Sequence, residues 1–292
     1  MMTRKADTGA VLCVGRIYCD LIFTGLGRMP TLGREVFAED LTMTAGGGAY
    51  ISAAHFAEIG RAVSLVARLG TDALSCDVAE QIKSRDIDLS FLERDAEAGP
   101  QITVASVIGA ERAFLTKRAG RAEPAHLNEA LHWDGACHLH IAEFATLAEM
   151  PDLVFRAKEA GLSVSLDPSW DDALIHAPDL LERCNGVDLF LPNMEEAQAI
   201  TGKALPNDML DLLSLHFPNV ALKAGADGAY CQSIEGCWQE PAQAVPVIDT
   251  TGAGDAFNAG FIDQWLRAQP LSVCLAAGVA AGSRAVQQAG GA

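Results

Sequence analysis

The chain has 292 residues, half of them apolar, which is ample for a sizeable core, and α/β chains of this length often fold as one domain. Thirty-eight acids against 21 Lys and Arg give a net charge of −17, a field that disfavours nucleic acid and anionic membranes as partners. An anionic substrate would therefore need a local site rich in cations or backbone N–H groups.

Eight cysteines (13, 19, 76, 137, 184, 231, 237 and 274) form no C-x-x-C pair and no zinc spacing. A disulfide framework is not expected, and cysteines within apolar runs read as small core residues. The N-terminus carries basic residues, but the apolar run from Ala10 to Val14 is too short for a signal peptide, and no segment approaches a membrane span. The expected location is the cytoplasm.

In chain order, Val11 to Val14 reads as a buried strand ending at Gly15. Ile17 to Thr24 and Glu35 to Thr44 read as extended segments flanking a Gly/Pro-rich connection. Ala49 to Ile59 is a helix pattern stopped by Gly60; Val63 to Arg68 is a strand stopped by Gly70, and Asp72 can cap a helix running to about Arg85. Ile102 to Ile108 and Arg112 to Thr116 flank Gly109-Ala110-Glu111, a hairpin signal. Strands then alternate with helices. The strands are His138 to Ala142, Leu162 to Leu166, Leu189 to Leu191 and Val220 to Lys223; the helices are Ala148 to Ala160, Met194 to Ile200, Gly254 to Arg267 and Ser272 to Gln288. Such alternation predicts a central, mostly parallel sheet covered on both faces. The early extended pieces do not fit it and read as a small β-rich lid.

The segment Asp249 to Ile262 carries the chemistry. Gly252, Ala253 and Gly254 precede Asp255 and a helix-forming run. Small residues let backbone N–H groups converge, and a helix start adds unpaired donors and the positive dipole end, which together hold an anion such as phosphate. An aspartate in that first turn can accept the proton of a hydroxyl attacking the phosphate. Taken alone, the segment also fits a helix N-cap with glycines for tight packing.

This segment resembles the C-terminal signature of the ribokinase-like (PfkB) family of carbohydrate and nucleoside kinases. Further matches follow in order: Ala45-Gly-Gly-Gly48 before a small-residue helix ending Ala57-Glu-Ile-Gly60, then Arg68-Leu-Gly-Thr-Asp72, Asp167-Pro168, Pro192-Asn-Met-Glu-Glu196 and Lys223-Ala-Gly-Ala-Asp-Gly228. The resemblance spans essentially the whole chain. It implies an α/β fold, a three-layer sandwich with a mostly parallel central sheet and a small β-sheet lid. It also implies a single kinase domain over residues 1–292, with lid segments at about 17–44 and 101–118.

Carried over residue by residue, the resemblance makes Asp255 the catalytic base and gives the amides of Gly252, Ala253 and Gly254 the transferring phosphoryl group. Asp20 and the loop Gly46, Gly47 and Gly48 are implied to hold the sugar, and Arg112 is a lid arginine near the substrate or a plain solvated hairpin residue. Asn193 and Glu196 match an element that organises Mg2+ and phosphate, through water; their spacing equally fits a capped helix start. Lys223, Gly225 and Gly228 border the ATP site. Asp249 and Thr251, with Gly290-Gly291, resemble a monovalent-cation (K+) site of part of the family.

Two positions depart from the pattern. Where the family helix carries a substrate-binding asparagine, alignment back from Gly60 places Ile51, with Tyr50 before it; Tyr50 or Ser52 would have to compensate. Near Gly278 to Ala280 no asparagine stands by the adenine. His138 and His140 alternate on one strand face, which suits partly buried strand histidines better than a metal pair without a third ligand. The chain has neither a P-loop nor a Rossmann glycine motif.

The expected activity is ATP-dependent phosphorylation of a hydroxyl on a sugar or sugar-like substrate. The alternatives are a nucleoside kinase of the same family and a non-catalytic sugar or nucleotide sensor. Lids of this family often pair, so a homodimer through the lid is a further expectation.

Overall fold

The computed structural model describes residues 9–109, 111–288 and 290–292; the basic N-terminus and Ala110 of the expected turn lie outside the described residues. The strands are β1 (Ala10–Val14), β2 (Tyr18–Thr24), β3 (Asp40–Gly46), β4 (Val63–Leu69), β5 (Leu92–Arg94), β6 (Ile102–Ile108), β7 (Glu111–Lys117), β8 (Ala136–Ile141), β9 (Ser163–Leu166), β10 (Leu189–Phe190), β11 (Asn219–Lys223), β12 (Ala229–Ser233) and β13 (Gly236–Glu240). Nine of them form one sheet in the order β13-β12-β11-β10-β9-β8-β1-β4-β5. It is parallel from β11 to β5, while the hairpin β12–β13 adds antiparallel strands at one edge.

The continuous apolar run of β1 is buried at every position, as a strand covered on both faces must be. Its residues alternate between two cores. Val11 and Cys13 join one with Phe56, Phe257, Phe261 and Val279; Leu12 and Val14 join the other with Phe144, Leu153, Ala197 and Leu210. The helices Gly48–Glu58, Ala253–Leu266 and Leu271–Ala285 thus cover one face, and Phe144–Glu149, Leu153–Glu159, Met194–Thr201 and Pro206–Leu213 the other. This is the expected three-layer sandwich.

The remaining strands make a four-stranded lid sheet in the order β3-β2-β6-β7. Its registers sort the side chains by face. Thr44, Asp20, Thr103 and Thr116 lie in one cross-strand row, and Met43, Leu21, Val104 and Leu115 in the next, on the opposite face. Arg112 shares the Asp20 face and reaches the body, so that face turns inward.

Some elements differ from the sequence expectation. The helix expected over Ala148 to Ala160 is two short helices, Phe144–Glu149 and Leu153–Glu159. They part at Pro151, which has no N–H and crowds the preceding turn. Of Glu35 to Thr44, only the part from Asp40 pairs as a strand. The hairpin β12–β13 and the Pro206–Leu213 helix, with proline in its first turn, were not expected at all.

Candidate active site

The parallel strands β1, β8, β9 and β11 end on one edge of the sheet, where open α/β folds collect ligands. Lys223 closes β11, Asp167 follows β9, Glu143 follows β8, and the chain leaves β1 through Gly15 into the lid.

Against that edge stands the start of the Ala253–Leu266 helix. Its N-cap, Gly252, has φ 74°, and a Cβ there would lie 2.1 Å from the Gly291 carbonyl oxygen, so conformation and space both require glycine. No side chain caps this helix. The Ala253 N–H goes to Thr250, while the Gly254 amide has no partner among the described residues. A Cβ on Gly254 would sit 3.6 Å from Lys223 Nζ, so the lysine ammonium faces the same spot. Free amide, helix dipole and ammonium converge, as an anion site requires.

Asp255 lies in the first turn, and its Oδ1 accepts a 2.6 Å hydrogen bond from Ser52 Oγ. Burial, and then the nearby Asp167 charge, push its carboxyl up to about 7, against the opposing pull of Ser52 and Lys223. A carboxylate poised there exchanges protons near neutrality, as a general base must.

Asp167 organises the centre. Its Oδ2 accepts from Lys223 Nζ and, at 2.6 Å, from Asn258 Nδ2, and its Oδ1 from the Ser169 amide at 3.2 Å. Burial works against the Lys223 ammonium, but Asp167 and Glu196 outweigh it and hold its pKa above the usual lysine value. Asn193 and Glu196 form a reciprocal capping box, each side chain bonded to the other's backbone at 2.9 and 2.8 Å. An isolated bridge sets Asn193 beside Lys223. Burial and the Asp167 charge raise the Glu196 carboxyl. Among the described residues no cluster of three or more His, Cys, Asp or Glu could cage a metal ion.

Beside the helix start opens a pocket of about 550 Å³, lined by Lys223, Gly225 and Gly228 and, across from them, by Val245, Val247, Phe257, Val279 and Val286. It is the size of a small-molecule site and mainly apolar, as a flat base requires. Where the sequence lacks the asparagine near Gly278 to Ala280, the wall is Val279, Gly282 and Ser283.

On the opposite side, the Asp20 carboxylate lies directly over Gly46; a Cβ on Gly46 would be 1.9 Å from Asp20 Oδ2. Gly47 caps the Gly48–Glu58 helix and packs on the Arg16 carbonyl, and Gly48 packs on Ala142. Burial raises the Asp20 carboxyl to about 6. Gly46→Ala is therefore expected to swing Asp20 out of place.

Glu143 and Arg118, which the sequence reading passed over, adjoin this region. Glu143 accepts from the Arg16 amide at 3.3 Å and is raised by burial. Arg118 reaches Tyr18 at 3.3 Å and Asp171 at 3.2 Å. Asp167 and Glu143 could have been found from their places just after strands of the parallel sheet. Ile51 packs against the Gly291 tail, the Tyr50 ring is buried, and Ser52 gives its hydroxyl to Asp255.

Arg112 lies on the inner face of the lid, yet its guanidinium is engaged by the body, donating to Thr251 Oγ1 at 2.8 Å and Asp249 Oδ1 at 3.0 Å. Asp249 Oδ1 also accepts from Thr251 N–H and Oγ1, and its Oδ2 accepts from the Gly290 amide. Burial would raise this carboxyl, but those donors hold it well below the usual carboxylate range. His138 and His140 are fully buried and bonded to serines.

A raised carboxyl beside an anion cradle, with an apolar pocket of nucleotide size on one side and a carboxylate on the inner lid face, fits a phosphotransferase with an alcohol acceptor. The comparisons agree. The sequence matches the pfkB family carbohydrate kinase profile over residues 9–292. It is 26% identical over 257 residues to 2-dehydro-3-deoxygluconokinase of Bacillus subtilis, covering 80% of this chain and 78% of that one. The fold is that of Arabidopsis thaliana ribokinase complexed with ribose and ATP (TM-score 0.82, 21% identity, 97% and 94% coverage). It is also that of the nucleoside kinase of Methanocaldococcus jannaschii (TM-score 0.77, 20% identity, 98% and 94% coverage). The chain belongs to the pfkB family of carbohydrate kinases, and its activity is ATP-dependent phosphorylation of a sugar hydroxyl.

Proposed function

We propose that Asp255 removes the proton from the acceptor hydroxyl while the free Gly254 amide at the helix start and the Lys223 ammonium receive the γ-phosphoryl charge, the Ala253 N–H being held by Thr250. The observation that carries this reading is the uncapped helix start at Gly252, with Asp255 in its first turn and Lys223 facing it. Asp20, over Gly46, orients the sugar through hydroxyl hydrogen bonds. The apolar pocket beside Phe257 takes the adenine, and the lid sheet excludes water that would otherwise accept the phosphoryl group.

Oxygen donors at Asn193, Glu196 and Asp167 suit Mg2+, which keeps most of its waters and needs few direct protein ligands. When bound with ATP it neutralises charge on the phosphate oxygens. A coupled ADP-release screen over pentoses, hexoses, keto-deoxy acids and nucleosides, in Mg2+ and in EDTA, tests the reading; turnover with no member of the panel would sink it. A nucleoside is the second reading, favoured by the Phe114 ring, 64% exposed in the inward lid row with Ile22 and Ala105. Phosphorylation of nucleosides alone would decide for it.

A monovalent cation does not fit at Asp249 and Thr251 while Arg112 is docked, because the guanidinium already occupies the carboxylate. We infer that Arg112 supplies the positive charge there. Activity should then be equal in potassium and tetramethylammonium salts; a loss of about tenfold, some 1.4 kcal/mol, on removing potassium would refute it.

The outer lid face carries Leu41 (51% exposed), Met43 (37%) and Leu115 (73%) beside a groove of about 600 Å³ lined by Phe23, Leu26 and Phe37. Apolar rows of this kind on a sheet mark a protein contact, and we infer a second copy of the chain. Light scattering should show a dimer that Leu41→Glu/Leu115→Glu converts to monomer; a monomeric parent protein would refute it. We place the enzyme in the cytoplasm, where ATP is supplied and free thiols such as the exposed Cys76 and Cys237 stay reduced.

A further inference from the structure

Two histidines found in the sequence have no part in the reaction as described, yet they connect to its base. His138 and His140 project from β8 and are paired across the sheet with Ser163 and Ser165 on β9. Both rings are 0% exposed. Phe56 packs edge-on against His140, and Trp265 against His138. One unbroken chain of contacts leads inward from Asp255. Ser52 Oγ is 2.6 Å from Asp255 Oδ1 and 3.3 Å from His140 Nε2. His140 Nδ1 is 2.8 Å from Ser165 Oγ, which is 2.7 Å from His138 Nε2, and His138 Nδ1 is 2.8 Å from Ser163 Oγ.

Counting protons fixes the direction of every bond. Burial holds both rings neutral, His140 near 4 and His138 well below the usual histidine value. Each ring therefore has one donor and one acceptor, and each serine has one proton. Ionised Asp255 can only accept, so Ser52 gives it that proton. Ser52 must then accept from His140 Nε2–H, which leaves His140 Nδ1 to accept from Ser165. Ser165 in turn accepts from His138 Nε2–H, and His138 Nδ1 accepts from Ser163, at 2.8 Å a shorter bond than the 3.3 Å alternative to the Cys137 carbonyl. All the hydrogens point toward the base, and bonds aligned in this way reinforce one another.

We propose that Ser165 and His138, acting through His140 and Ser52, are positioning residues that keep the Ser52 hydroxyl turned onto Asp255 and so keep the base oriented and ionised. The inference rests on Asp255 being the base. Without Ser165, His140 loses its bias, its Nε2 can take the Ser52 proton, and Asp255 loses its donor. The other charged groups facing the chain are Asp167 and Lys223 around Asp255 and His140, and Arg61 and Lys158 around His138. None is removed in the test.

Two measurements decide it. In the intact protein, ¹⁵N NMR of the imidazoles above neutral pH should show both rings as Nε2–H tautomers; an Nδ1–H tautomer on either ring overturns the proposal without any variant. In kinetics, Ser165→Ala should move the acid limb of the kcat–pH profile upward by about one unit, since the hydrogen bond favours the charged form. KM should stay unchanged, and Ser165→Thr, which keeps the hydroxyl, should restore the profile. An unmoved limb in folded Ser165→Ala, with Asp255→Asn inactive, sinks the positioning role alone. Activity retained in Asp255→Asn sinks both the base and the role built on it.

Discussion

Asp255→Asn should lower kcat by ~10²–10⁴-fold, the usual cost of losing a general base, and should make the protein more stable at neutral and alkaline pH. The two effects have one cause. Burial and Asp167 raise the Asp255 carboxyl from 3.8 to about 7 in the folded protein, so between those values the native state holds a proton that the unfolded chain does not. Stability contributed by this group is thus present below about pH 4 and is lost as pH rises through 7. Asparagine is never charged and escapes that loss. The Tm of the variant should exceed the parent's by about 2 °C or more at pH 8, and the gap should close as pH falls toward 4. In the parent, kcat/KM should rise with pH through an acid limb near 7. Calorimetry across pH, with initial rates, would check both; a variant that is active, or no more stable at pH 8, contradicts the assignment.

Lys223→Met should damage both folding and turnover. The lysine is the cation bonded to Asp167, and it faces Gly254. The side chains of both ion-pair partners are 12% exposed, so removing one leaves a nearly buried carboxylate uncompensated, at a cost of about 3–5 kcal/mol. Glu196 and Asp255, both already raised partly by Asp167, would rise further. Turnover should fall by ~10²-fold or more, as when a preorganised electrostatic donor is lost. Urea unfolding at pH 7.5 should show the deficit. Asp167→Asn added to Lys223→Met should recover much of the stability but none of the activity. A single variant as stable as the parent would show that the pair contributes little.

The parts of this site visible in the sequence were those built from local backbone. Gly252 to Asp255 is a contiguous turn, and its glycines and acid announce an uncapped helix start before any fold is known. The same holds for the capping box at Asn193 and Glu196. The alternation of strands and helices from His138 onward was likewise legible, because periodicity is written in neighbouring residues. Elements that depend on distant partners were read poorly: Glu35 to Glu39 has an extended pattern but no strand to pair with, and the hairpin β12–β13 is defined by its docking on β11.

Arg112 shows the same division. The sequence placed it at a hairpin end, with solvent or substrate as its partner, while the tertiary structure set it on Asp249 and Thr251, more than a hundred residues away. Asp167 stood in the sequence only as part of the Asp167-Pro168 match after a strand, with no role assigned, yet it binds Lys223 and Asn258 and raises Asp255 through space. The histidines of β8 read as core residues, and they are; only the packing of β8 beside β9 and under Ser52 connects them to the base. The sequence by itself determined the class of reaction, because the signature at Gly252 to Asp255 and the ordered matches from Ala45 to Gly228 are contiguous motifs that together carry the family resemblance; the cradle segment alone also fits a helix N-cap. The charge state of that base, the partners of its neighbours and the shape of the sugar pocket were decided by tertiary structure, since burial and Coulomb interactions act across distances in space that chain order does not encode.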